Sequence, residues 1–227
     1  MTIDVAPGTV ALYTDIACGW ATLQLHRFYA ARAEAGLQEQ VRVDHRLFLL
    51  EDVNAMALPK ALIDAEVPTF AELAPDFGFR TWRRDPSTWP ITTLLANEAV
   101  HAVKSQSLAA AEQFDMELRK ALFSRSRVIS MQHEILAVAQ RCDMVDPEAL
   151  AEALDDGRAR GQMMRDYRQR AEAVKGSPHF FLADGTDVHN PGIEFQWTGG
   201  GEGEGDLVID SDDPDAMANL VRQAAGV

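Results

Sequence analysis

Residues 10–28 read Val10-Ala-Leu-Tyr-Thr-Asp-Ile-Ala-Cys18-Gly-Trp-Ala21-Thr-Leu-Gln-Leu-His-Arg-Phe28. The beginning of this stretch favours a short β-strand, and apolar residues recur at helical spacing from Ala21 onward. Cys18 is therefore predicted to lie where a strand is followed by a helix. Unpaired backbone N–H groups and the positive end of the helix dipole stabilise a thiolate there, and the thiolate is the nucleophilic form of cysteine. The stretch predicts that Cys18 is a nucleophile whose pKa is lowered.

The two cysteines of the chain also have a simpler interpretation. A lone cysteine can be a small buried apolar residue, and for Cys18 this alternative stays open. For Cys142, which shares the apolar side of a predicted helix with Val138 and Ala139, burial is the favoured interpretation. A reducing compartment disfavours a structural disulfide between the two.

The chain after the first helix continues a βαβ pattern. Gly36 is predicted to end the helix, and residues 41–48 form a second strand parallel to the first. Residues 49–90 are predicted to be an irregular connector with one or two short helices, because prolines interrupt any long element. These prolines are Pro59, Pro68, Pro75, Pro86 and Pro90.

The next eighty residues predict successive amphipathic helices. Ser130 is the expected N-cap of one of them, and Asp146 followed by Pro147 begins the next. The last of these helices runs toward Val174, with a break near Gly157 or Gly161.

The C-terminal part returns to strands. Residues 180–182 predict a strand, Asp184-Gly185 a hairpin turn and residues 188–190 the returning strand. Residues 199–205 predict a flexible acidic loop, residues 207–209 a short edge strand, and Asp213-Pro214 the start of a closing helix.

Residues 15–21 resemble the active-site segment of the DsbA-like branch of the thioredoxin superfamily, in particular its FrnE-like and 2-hydroxychromene-2-carboxylate isomerase-like members. These proteins commonly have an Asp, two spacers and Cys-Pro-Trp-Cys, and here the run is Asp15-Ile-Ala-Cys18-Gly19-Trp20-Ala21. Gly176-Ser177-Pro178 resembles the cis-proline loop of the same proteins. Gly19 and Ala21 depart from the pattern, and Ala21 cannot attack a mixed disulfide as a second cysteine does.

The resemblance implies an α/β protein with a thioredoxin-like fold and an inserted all-helical domain. Residues 1–53 and 173–227 would form the discontinuous thioredoxin-like domain, and residues 54–172 the insertion. It also implies that Cys18 is the nucleophile and that Trp20, Ser177 and Pro178 contact the substrate, which would be a small-molecule or protein thiol.

Three functions compete under this resemblance. The first is thiol-disulfide oxidoreduction by a monothiol route through Cys18, with a low-molecular-weight thiol such as glutathione or mycothiol as co-substrate and no tightly bound cofactor. The second is a kappa-type transferase or isomerase that uses such a thiol as cofactor, and the third is a thioredoxin-fold module without catalysis. Cys18 favours the first over the second, because those relatives generally have Ser at the nucleophile position.

Composition narrows the choice of partners and compartment. The net charge of −14 argues against a nucleic-acid backbone or an anionic membrane surface as a partner. The first residues contain no secretory signal pattern, and no long apolar run predicts a membrane span, so a cytoplasmic location is expected. The scattered histidines lack the spacing of a zinc site.

Overall fold

The computed structural model of the chain describes residues 3–170 and 172–227. Its first three elements are β1 (Thr9–Thr14), α1 (Gly19–Glu34) and β2 (Arg42–Leu47). β2 lies parallel to β1, with Val10 opposite Val43 and Leu12 opposite His45. The predicted βαβ unit is confirmed, and Gly36 follows α1 with a φ of 68°, a conformation that glycine adopts without a Cβ clash.

The sheet is completed from the other end of the chain. β3 (His179–Leu182) pairs antiparallel with β1, and β4 (Asp187–His189) pairs with β3, which gives the order β2-β1-β3-β4. The hairpin predicted around Asp184-Gly185 is therefore present. The pairing of Tyr13 with His179 brings the residues that precede β3 next to the end of β1.

The connector contains a longer helix than the sequence predicts. After α2 (Leu50–Val53), α3 spans Lys60–Leu73 and includes Pro68, and a 3₁₀ turn follows at Pro86–Thr88. The expectation that Pro68 interrupts any long element was wrong. Proline removes one backbone hydrogen bond, but α3 buries one face in the core, including the fully buried Phe70, and burying such a ring is worth about 2–3 kcal/mol.

Helices occupy most of the chain between the connector and β3. They are α4 (Leu94–Val103), α5 (Leu108–Phe123), α6 (Gln132–Ala139), α7 (Pro147–Asp156) and α8 (Arg158–Arg170). Asp146 caps α7 as predicted, accepting from the N–H groups of Glu148 and Ala149, and the break falls at Gly157, which is left-handed. α8 ends at Arg170, short of the predicted Val174. Met131, without a side-chain cap bond, takes the N-cap position expected for Ser130, so that expectation was wrong.

The C-terminal region forms a second sheet that the sequence only partly predicts. β5 (Ile193–Thr198), which was missed, pairs antiparallel with β6 (Asp206–Asp212), and the acidic segment 199–205 connects them. α9 (Ala216–Ala225) begins two residues after the predicted Pro214 and packs beneath α1 with Met217, Leu220 and Val221. The division at residues 53/54 and 172/173 into two domains stays a prediction.

Candidate functional site

Cys18 is the N-cap residue of α1, and its environment is polar on one side. Its Sγ lies 3.3 Å from the backbone N of Ala21, which donates to it, and 3.1 Å from the backbone carbonyl oxygen of Ser177. The carbonyl can only accept, so the sulfur donates its proton there. The side chain is 6% exposed and is bonded to no other cysteine.

The protonation state of Cys18 differs from the sequence expectation. Burial raises the pKa of the Cys18 thiol to about 11. The Ser177 side chain and the Ala21 N–H lower this pKa by less, and the charge of Glu66 raises it further. The prediction of a lowered pKa was wrong for the resting chain, because desolvation outweighs the helix N-terminus. The residue is placed as predicted, but it is held as a thiol.

The proline loop lies directly against the cysteine. The Ser177–Pro178 peptide bond is cis, and the Ser177 side-chain oxygen accepts a 3.1 Å hydrogen bond from the N–H of Asp15. Ser177 thus contacts the turn before α1 through its side chain and the thiol through its backbone. The structure brings together the segments at Cys18 and Pro178, which are far apart in sequence.

Asp15 organises the turn between β1 and α1. Its carboxylate is buried and accepts four hydrogen bonds, at 2.6–3.0 Å, from Thr93 Oγ1, Asn97 Nδ2 and the N–H groups of Ala17 and Leu50. Its carbonyl oxygen accepts from the Cys18 N–H and from the fully buried guanidinium of Arg119. The position of Cys18 therefore depends on helices α4 and α5 as well as on its own helix.

Trp20 forms one wall of the site. Its indole stacks on Phe195 of β5 with ring centroids 3.9 Å apart and meets Phe70 of α3 edge-on at 4.8 Å. Its Nε1 donates a 3.0 Å hydrogen bond to Oε1 of Glu66. Sequence reasoning placed Trp20 at the site but missed Glu66, whose pKa burial raises to about 7.

The departures from the resembled motif have different structural surroundings. A Cβ on Gly19 would lie 2.1 Å from Cε2 of Phe70, so the packing of α3 leaves no room for a side chain. Ala21 is fully buried and supplies only its N–H to the cysteine. Cys142 is also buried, donates weakly to the carbonyl of Val138 at 3.5 Å, and has a pKa raised by burial to about 11. Its interpretation as a packing residue fits this environment.

A cavity of about 330 Å³ opens beside Cys18. Of the four predicted site residues, Cys18, Trp20 and Ser177 line the cavity and Pro178 does not. The cavity extends to α2, α3 and the end of β4. Residues that the sequence did not single out also line it: Glu51, Glu66, Lys175, His189, Asn190 and Glu202. Glu66 carried one recognisable signal, since it falls among Ile63, Val67 and Phe70 on the core-facing side of α3.

A second, larger cavity lies away from the cysteine. It measures about 920 Å³ and is lined by residues of β2, α4 and α8. Three of its charged groups pair with one another, since Asp44 contacts both Arg46 and Lys104. Volume alone does not make it a reaction site, because it contains neither cysteine.

Two further properties of the described ranges, 3–170 and 172–227, concern metals and membranes. No group of three His, Cys, Asp or Glu side chains in these ranges is arranged to hold a metal ion. In the same ranges no helix has the length and apolar character needed to span a bilayer.

A family model described as a DSBA-like thioredoxin domain matches residues 9–221. The match covers most of the chain, so the protein belongs to this family. A comparison with curated protein sequences finds no match.

Solved structures resemble the whole fold at low identity. A probable DsbA oxidoreductase from Streptomyces coelicolor is 20% identical, with a TM-score of 0.65 over 96% of this chain and 90% of that one. The cytosolic disulfide reductase DsbM from Pseudomonas aeruginosa with GSH is 15% identical, with a TM-score of 0.60 over 96% and 100%. A 2-hydroxychromene-2-carboxylate isomerase is 14% identical, with a TM-score of 0.59 over 79% and 87%. These likenesses establish a thioredoxin-like fold of the DsbA type.

Proposed function

We propose that this member of the DSBA-like family catalyses thiol-disulfide exchange by a monothiol route through Cys18. The observation that carries the proposal is the placement of Sγ: it caps α1, contacts the cis-proline loop and borders a cavity. The second motif position is Ala21, so the resolving thiol comes from outside the pair. Cys142 does not line the same cavity.

The exchange consists of two displacements. Cys18 loses its proton, Sγ bonds to one sulfur of a disulfide, and the other sulfur leaves as a thiolate that takes up a proton. A low-molecular-weight thiol then attacks the sulfur bonded to Cys18, which releases the product disulfide and restores the cysteine. In sum, one external thiol takes the place of one half of the substrate disulfide, and that half leaves as a thiol. The number of disulfide bonds is unchanged, so no oxidant or other reductant enters. A second external thiol that attacks the product disulfide completes the reduction of the substrate.

The comparisons support glutathione as the first thiol to test, because one structural neighbour is the disulfide reductase DsbM with GSH. They give mycothiol no support. A cytoplasmic site of action is proposed with it, in keeping with the description of that neighbour as a cytosolic disulfide reductase. The thiol-dependent isomerase reaction is the second candidate, which the likeness to 2-hydroxychromene-2-carboxylate isomerase favours.

Intact-mass analysis tests the proposal. After incubation with oxidised glutathione we expect one mixed disulfide, on Cys18, that added glutathione removes. The Cys18→Ala variant should form none, whereas the Cys142→Ala variant should behave as the parent chain. A chain that forms no adduct on Cys18 with any disulfide, at any pH at which it stays folded, would leave the non-catalytic alternative.

A further inference from the structure

The charged residues around the Cys18 cavity are unbalanced. Three carboxylates line it, those of Glu51, Glu66 and Glu202, and in the described part of the chain none of them forms an ion pair. The one lining ammonium group, on Lys175, lies 3.2 Å from Oδ1 of Asp187 and is largely exposed. His189 adds no positive charge near neutral pH, because burial lowers its pKa.

Two acceptor groups at the cavity are incompletely partnered by the described residues, and one of them is a fully buried atom. Glu66 is 7% exposed, and of its two carboxylate oxygens only Oε1 has a partner among the described residues, the Trp20 indole. Asn190 Oδ1 is buried and has no hydrogen-bond partner in that same part of the chain. A buried acceptor without a donor, such as Asn190 Oδ1, is costly, and an ammonium group supplies donors and no acceptor.

The carboxylates act on the sulfur as well as on the cavity. The charge of Glu66 raises the pKa of Cys18, and the charge of Glu202 raises the pKa of Glu66. Cys18, Glu66 and Glu202 therefore share one electrostatic environment. A group attached to Cys18 through a mixed disulfide would enter this environment within a few bonds. Opposite charges interact several times more strongly in such a partly desolvated site than in water.

We propose that the Cys18 cavity selects thiols and disulfides that carry a positive charge two or three bonds from sulfur, and disfavours those that carry a carboxylate there. The ligand class is the aminothiols, of which cysteamine is the simplest. The inference rests on the proposed exchange at Cys18 and refines it by ranking the possible thiols by charge. Glutathione, with two carboxylates and one ammonium group, is net negative and would be less favoured than a cationic aminothiol. Glu66 and Glu202 are specificity-determining residues for this choice.

Three disulfides of similar size and different charge provide the test: cystamine, bis(2-hydroxyethyl) disulfide and 3,3′-dithiodipropionate. The rate of adduct formation on Cys18 in the Cys142→Ala chain is measured at pH 8 and low salt. Each rate is divided by the rate for N-acetylcysteine amide with the same disulfide. We expect the normalised rate to be about tenfold or more higher for cystamine than for dithiodipropionate, with the neutral disulfide between them. Added NaCl should reduce the ratio.

Charge-neutralising variants identify the groups responsible. Glu66→Gln keeps an oxygen that accepts from Trp20. Glu202→Gln changes only an exposed loop, so it measures the effect of a lost carboxylate even if Glu66→Gln folds poorly. Each should lower the cationic-to-anionic ratio by about threefold. Glu72→Gln removes the same charge from an exposed position on α3 outside the cavity and should leave the ratio unchanged.

The possible outcomes separate the inference from the function beneath it. An adduct with the neutral disulfide but equal normalised rates for the charged ones would overturn the charge selection and leave exchange at Cys18 intact. If Glu72→Gln lowers the cationic-to-anionic ratio as much as Glu202→Gln does, the charge preference comes from the net charge of the chain. That result would overturn the role of the cavity. The absence of adducts with all three disulfides would overturn both proposals.

Discussion

The pH dependence of Cys18 reactivity decides between two opposing physical effects. The helix N-terminus favours the thiolate, whereas burial favours the thiol and raises the pKa to about 11. If burial prevails, the thiolate fraction at pH 7 is about one in ten thousand, against about 3% for an unperturbed cysteine with a pKa of about 8.5. This difference alone makes Cys18 about 300-fold less reactive.

The basicity of the thiolate offsets part of that deficit. Nucleophilicity in exchange rises with pKa with a Brønsted slope of about 0.4–0.5, so 2.5 pKa units return a factor of about ten to twenty. We therefore expect Cys18 to react with a neutral disulfide about 20-fold more slowly at pH 7 than a cysteine in the unfolded chain. The rate should rise about tenfold for each pH unit up to pH 9.

The assay uses 4,4′-dithiodipyridine in excess and follows the absorbance of the 4-thiopyridone that each reacting thiol releases. The Cys142→Ala variant reports Cys18, and the Cys18→Ala variant reports Cys142, whose pKa burial also raises to about 11. The two should share the slope, but Cys18 should be faster at every pH because it borders a cavity. A rate for Cys18 that levels off between pH 6 and 8 would refute the reasoning and restore the helix N-terminus as the stronger effect.

Three further predictions concern single substitutions. Ala21→Cys should form an intramolecular disulfide with Cys18 that dithiothreitol reduces reversibly, and mass and thiol counts should show that the parent chain does not. Glu66→Gln should raise the free energy of unfolding in urea by up to about 3 kcal/mol above pH 7 and leave it unchanged below pH 4. The reason is that the pKa of Glu66 is about 7 in the folded chain and near 4.3 in the unfolded chain, so the parent chain loses stability as the pH rises between these values, and the uncharged variant does not. Asp15→Ala should lower the free energy of unfolding by about 3–5 kcal/mol, since it leaves four donors without an acceptor, whereas Asp15→Asn, which keeps one, should cost less.

The parts of the site that depend on local sequence could be predicted. A strand followed by a helical pattern placed Cys18 at a helix N-terminus, and this signal lies within a few residues of the feature that it predicts. The local sequence of Ser177-Pro178 indicates only a turn before a strand, and its identification with the cis-proline loop came from the family resemblance. The parallel pairing of β1 and β2 followed from the length of the intervening helix.

The parts that depend on distant contacts could not. Phe195 reaches Trp20 only because β5 pairs with β6, and nothing near residue 195 indicates the stacking. Glu66 was hidden because Pro68 suggested a break in the helix that carries it. The pKa of Cys18 was predicted in the wrong direction because helix position is visible in a sequence, whereas desolvation depends on every neighbour that the fold brings in.

The two departures from the resembled motif carry different information about chemistry. Gly19 is explained by packing, because any side chain would meet the Phe70 ring, so the loss of proline there says nothing about the reaction. Ala21 has no such explanation among the described contacts, and its N–H still donates to the Cys18 sulfur. Backbone donation does not depend on the side chain at position 21, and neither does the contact of Sγ with Ser177. The contacts that hold the Cys18 sulfur thus do not require a second cysteine, which is consistent with the proposed single-thiol reaction.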